Sequence, residues 1–177
     1  MKQHMKSLPF AVLVVLLVLG ASDASAQRVR ASQKGSVMQM VGDTRITVEY
    51  SRPVARGRDL FGALVPFGKI WMPGADWAST IEFSEDVTVA GTQVRAGKYS
   101  IWTIPGEKEW TYILNDKYRT YHTSYPKGHD AVRFTVTPET GGHMETMAFY
   151  FAVVGPDSAV MNLHWGETIV PITIRTN

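Results

Sequence analysis

Three kinds of side chain in this sequence are suited to chemistry or recognition: histidines near acids, a group of arginines, and tryptophans. The histidines beyond the N-terminal segment are His122, His129, His143 and His164. None falls in an H-x-H or H-E-x-x-H pattern, the spacings that bring two imidazoles to one metal. His143 and Glu145 lie two apart, so on an extended chain their side chains share a face. Two ligands do not complete a coordination sphere, so no metal and no other cofactor is expected. Serines are present without a Gly-x-Ser-x-Gly elbow, and no cysteine is available as a nucleophile. Glu82, Glu85 and Asp86 form a glycosidase pair only if the fold sets two of them at the right separation. No residue is assigned as catalytic. If the chain is a hydrolase of envelope glycans or esters, its acid or base comes from Asp76, Glu82, His122 or His164.

The recognition candidates are better defined. Arg52, Arg56 and Arg58 fall in one irregular stretch near Asp59. Guanidinium groups on a loop suit carboxylates, phosphates or sugar hydroxyls. They also tie loops down by bonding backbone carbonyls. Five tryptophans are present, and aromatic residues are favoured both in strands and in ligand-lined clefts. Trp110, Tyr112 and Leu114 share one face of a strand and are expected in the core, while Trp102 points to the opposite face of its own strand. Trp77 follows Gly74-Ala75-Asp76 in a turn and is the tryptophan expected at the surface. Arg52, Arg58, Asp76 and Trp77 are therefore the candidate ligand contacts.

The elements that position them have period two. In Thr44–Tyr50, Ile46, Val48 and Tyr50 face one way and Arg45, Thr47 and Glu49 the other, a strand with one buried face. Gly42-Asp43 turns it back on Val37–Val41 as a hairpin. Further strands are expected at Lys69–Met72, Ser79–Ser84, Val87–Val89 with Gln93–Val94, Lys98–Ile104, Glu109–Asn115, Ala131–Thr137, Thr146–Val154, Val160–Trp165 and Thr168–Arg175. Turns are expected at Pro138–Gly142 and Gly155–Ser158. Asp59 is placed to cap one short helical turn near 59–65, ended by Pro66. Pro171 places the last strand at a sheet edge. Many short strands with Gly/Pro turns and no long helix define an all-β fold, read here as a single antiparallel β-sandwich of jelly-roll or Ig-like type.

The N-terminus has its own logic. Lys2 and Lys6 precede an apolar run from Pro9 to Leu19, and Ala24-Ser25-Ala26 supplies the small residues of a cleavage site before Gln27. That pattern reads as a secretory signal peptide over 1–26. The run of about 11 residues is too short to span a bilayer, which takes roughly 20. Residues 27–35 read as a flexible tether and 36–177 as the sandwich domain. Without Lys2, Lys6 and Asp23 the chain carries 16 basic and 15 acidic side chains. No basic run marks a nucleic-acid face, so nucleic acid is not expected as a partner. Localisation is expected to be periplasmic or extracellular.

Three stretches resemble one family. Tyr50–Trp71 (YSRPVARGRDLFGALVPFGKIW), Ala96–Pro105 (AGKYSIWTIP) and Leu163–Ile172 (LHWGETIVPI) are similar, in order, to the opening, central and closing motifs of the secreted bacterial proteins grouped as domain of unknown function 2911. The resemblance implies a secreted all-β domain and brings no activity or catalytic residue with it. The chain departs from the family pattern twice. Met72-Pro73-Gly74-Ala75-Asp76-Trp77-Ala78-Ser79 stands where the family reads Arg-Thr-Gly-Ala-Asn-Glu-Ala-Thr. Tyr121-His122 stands where it often has Trp-Gly before a Thr-x-Tyr. The leading expectation is an exported, non-catalytic domain that binds a small molecule or glycan through the Arg52–Trp77 region. The alternatives are the hydrolase and an envelope assembly partner using Thr168–Arg175 for strand addition.

Overall fold

The computed structural model describes residues 31–176. The expected signal peptide and the start of the tether lie outside these residues. Ten strands are present: β1 Gln33–Val41, β2 Thr44–Arg52, β3 Thr80–Phe83, β4 Val87–Val89, β5 Thr92–Val94, β6 Gly97–Ile104, β7 Trp110–Asn115, β8 Asp130–Val136, β9 Glu139–Val154 and β10 Ser158–Thr176. One sheet has the order β1-β2-β3-β6-β7-β8 and the other β5-β4-β10-β9. Every pairing between these strands is antiparallel. The described residues form an all-β sandwich.

The alternation read from the sequence is what packs the two sheets. Ile46, Val48 and Tyr50 of β2, Ile81 and Phe83 of β3, and Trp110, Tyr112 and Leu114 of β7 face Met147 and Phe149 of β9 and Met161, Leu163, Trp165 and Ile172 of β10. Burying each such large side chain contributes about 1.5–3 kcal/mol. Trp102 points the other way, as expected. With Met72, Ala78 and Ile113 it forms a second, smaller core on the outside of the six-stranded sheet.

Several expected elements differ. The chain near 59–65 is a turn, not a helical turn. Leu64 N–H donates to Asp59 O at 3.2 Å and Val65 N–H to Leu60 O at 2.8 Å, five residues back rather than four. Gly62 has φ +90°, outside the right-handed region a helix needs. Lys69–Met72 is not a strand; only Trp71 pairs, as a bridge to Thr103. Gly141 and Gly142 lie inside β9, not in a turn. A Cβ on Gly141 would sit 2.4 Å from Ile169 Cδ1, so that glycine serves close strand approach rather than reversal. The two expected C-terminal strands are one, with register shifts around Gly166. β1 starts at Gln33, so the last residues of the expected tether belong to the sheet.

Pro171 does not mark an edge. β10 lies between β4 and β9. Its ladder with β9 ends at Ile169 and its ladder with β4 begins at Ile174, so Pro171 falls in the gap where no ladder needs its missing N–H. Within Thr168–Arg175, Thr168 and Ile169 pair with β9 and Ile174 and Arg175 with β4.

Candidate functional site

Two segments leave the plane of the six-stranded sheet and meet over its outer face. The first is 72–79. Met72 is 2% exposed and its Sδ accepts the Ser79 N–H at 3.2 Å. Ser79 Oγ–H donates to Pro73 O at 2.6 Å. These bonds pinch the two ends of the segment together and push its middle outward. The second is 116–129, between β7 and β8. Asn115 is buried and anchors it from both sides: Nδ2–H donates to Pro126 O at 2.9 Å and Oδ1 accepts the Lys117 N–H at 2.9 Å. Asp130 closes the base, accepting from Asn115 at 3.1 Å, from the Tyr125 hydroxyl, and from Arg133 at 2.8 Å. Burial alone would push the Asp130 carboxyl up. The hydrogen bonds from Tyr125, Arg133 and Asn115 outweigh it and hold the group below its ordinary value. The Tyr125 ring packs edge-on against Trp102 at 5.2 Å, fastening the segment to the outer core.

The two segments then join. Ala78 N–H donates to Thr120 O at 2.9 Å, and Trp77 and Tyr121 form an antiparallel bridge. The Asp76 carbonyl accepts twice from His122, from its backbone N–H at 2.9 Å and from its ring Nδ1 at 2.9 Å. These bonds hold Asp76 at φ +62°, a left-handed conformation that costs a non-glycine residue about 1–2 kcal/mol. The result is a patch of three rings. Trp77 is 61% exposed and Tyr121 44%. Their rings meet edge to face at 6.1 Å, and the His122 ring lies 4.4 Å from that of Tyr121. An exposed indole face on a rigid support stacks on sugars and other apolar ring faces.

The other candidates are placed differently. Arg58 Nε–H donates to Ala55 O at 2.8 Å and its Nη2 to Val54 O at 2.7 Å. Arg52 Nε–H donates to Met147 O on β9 at 3.1 Å. Arg58 therefore ties down its own loop, while Arg52 is the last residue of β2 rather than part of the irregular stretch and ties that strand to β9. Arg56 N–H donates to Glu145 Oε1 at 2.6 Å, and Glu145 also meets His143 at 3.0 Å. The hydrogen bonds from His143 and the Arg56 N–H hold the Glu145 carboxyl below its ordinary value. Glu82 faces Lys98 at 3.7 Å on the outer side of the six-stranded sheet. His164 lies on β10 in the other sheet, its Nε2 2.9 Å from Gly142 O and its Nδ1 3.4 Å from the Tyr150 hydroxyl. No group of three His, Asp or Glu side chains among the described residues converges as a metal site. A cavity of about 10 Å³ between the sheets is lined by apolar residues and Tyr112, and is no larger than one water molecule.

Sequence reasoning singled out Trp77 and Asp76 but not Tyr121 and His122 as their companions. The segments that meet here are 72–79 and 120–122. Met72 and Trp77 have unlike surroundings, the first buried and the second exposed.

Fold and site together define an antiparallel β-sandwich carrying a ring platform on loops outside its larger sheet. The chain belongs to the family described as Protein of unknown function (DUF2911), whose profile matches residues 32–174. No curated protein and no solved structure matches it. No helix among the described residues is long and apolar enough to cross a membrane.

Proposed function

We propose that this protein is an exported, non-catalytic binding domain whose ligand stacks on Trp77. The observation that carries the reading is the exposed indole on a doubly anchored support. The Trp77 indole is 61% exposed, and several hydrogen bonds and a left-handed Asp76 hold it in place. Function on loops above a rigid sandwich is the usual division of labour. Export rests on the N-terminal pattern of Lys2, Lys6, Pro9–Leu19 and Ala24-Ser25-Ala26. Asp76 and Trp77 stay in the proposed site, joined by Tyr121 and His122. Arg52 and Arg58 are left out of it, since both already hold backbone carbonyls.

The test is thermal stability of the protein and of Trp77→Ala against glycans, peptidoglycan fragments and common metabolites. A ligand at about 100 times its Kd adds about 2.7 kcal/mol, roughly 5–11 °C in Tm for a domain of this size. Trp77→Ala should change ligand-free stability by no more than about 0.5 kcal/mol, about 1–2 °C in Tm, and abolish the ligand-dependent rise. A rise that survives Trp77→Ala contradicts the proposal.

A further inference from the structure

The ring platform holds one group whose hydrogen-bonding sense is settled by its partner. A carbonyl oxygen only accepts, so the His122 Nδ1 that lies 2.9 Å from Asp76 O carries a hydrogen. In the neutral imidazole this leaves Nε2 as a bare acceptor. The same carbonyl takes the His122 backbone N–H at 2.9 Å, so ring and backbone are locked as a unit. Nε2 has no hydrogen-bond partner among the described residues. His122 is only partly buried, and its ring sits against Tyr121, which in turn sits edge-on to Trp77.

Resting on the binding role proposed above, we infer that His122 Nε2 receives a hydroxyl of the ligand, and that the ligand class is a pyranose. An acceptor one ring removed from an exposed indole on the same patch calls for a molecule that offers both a hydroxyl donor and a flat C–H face. A sugar ring has both. A planar heteroaromatic acceptor or an apolar acyl chain satisfies the indole alone and leaves Nε2 unused. His122 is then a specificity residue: Trp77 supplies contact area and His122 selects among hydroxyl patterns.

The experiment uses methyl pyranosides of glucose, galactose and mannose and their monodeoxy analogues, with affinities measured by NMR titration on the protein, His122→Phe and Trp77→Ala. Phenylalanine keeps a ring at position 122 and removes the acceptor. Losing one such hydrogen bond is expected to weaken binding about threefold to tenfold. One monodeoxy analogue should show the same loss on the parent protein and no further loss on His122→Phe. Equal affinity of His122→Phe and parent for every pyranoside overturns this inference, and the stacking role stands if Trp77→Ala still abolishes binding. Pyranosides that bind Trp77→Ala as well as the parent overturn both. Binding of other ring ligands but of no pyranoside overturns the sugar assignment alone.

Discussion

At the residue scale, two side chains carry the clearest consequences. Tyr112 is fully buried, stacks on Phe134 at 5.6 Å, and its hydroxyl has no hydrogen-bond partner among the described residues. Burial pushes its ionisation well above the ordinary range. Tyr112→Phe removes an unsatisfied polar atom without changing the ring, so stability is expected to rise by about 1 kcal/mol. Thermal unfolding should register this as roughly 2–4 °C; a lower Tm would mean that the hydroxyl has a partner. Arg58 is the opposite case. Its guanidinium spans the Val54 and Ala55 carbonyls, so Arg58→Ala should lower stability by about 1 kcal/mol, discounted for exposure, and leave ligand affinity at Trp77 unchanged. Lost affinity at unchanged Tm would return Arg58 to the list of contacts. The exposure of Trp77 was legible in the sequence because a Gly-Ala-Asp turn precedes it. The lone hydroxyl of Tyr112 was not, because alternation assigns a face and says nothing about partners on the opposing sheet.

At the element scale, the 116–129 segment depends on Asp130. Its carboxyl is held below its ordinary value in the folded protein, so the folded state binds that proton less readily than the unfolded chain. The corresponding stability is present above the ordinary carboxylate range and is lost as pH falls through the depressed value. Asp130→Asn should therefore flatten the acid limb of the stability–pH curve and speed amide exchange in 116–129. An acid limb identical to the parent's would contradict the anchoring role. Hairpins were the elements best read in advance: Gly42-Asp43 joins the strands expected, and Val87–Val89 pairs with the strand expected after it. Two of the misread elements share a physical cause. Gly141 locally prefers a turn and Pro171 an edge, yet Gly141 answers to Ile169 across the hairpin and Pro171 to a gap between two ladders. Those constraints are set by partners far along the chain. The turn at 59–65 differs for a local reason, its positive-φ backbone at Gly62.

At the scale of the whole molecule, the order of strands in each sheet is not order in sequence. β4 and β5 leave the first sheet for the second and β6 returns, so β3 pairs with β6 and β4 with β10. Such non-local pairing slows folding, and refolding is expected in the millisecond-to-second range; stopped-flow tryptophan fluorescence measures it, and microsecond folding would argue against this topology. The fold class was legible because period-two patterning and turn spacing suffice for it. Strand order was not, because it depends on which faces meet. The proposed site was half legible for the same reason: Asp76 and Trp77 lie on one loop, while Tyr121 and His122 come from another that only the folded sheet brings alongside. The central claim is that Trp77 is where ligand binds, and the five tryptophans allow it to be tested in one spectrum. Each contributes an indole Nε1–H signal, with Trp77 identified by its loss in Trp77→Phe. On titration with a ligand that raises Tm, the Trp77 signal should shift saturably while those of the buried Trp102, Trp110 and Trp165 stay in place. Saturable binding that leaves Trp77 unmoved would contradict the account.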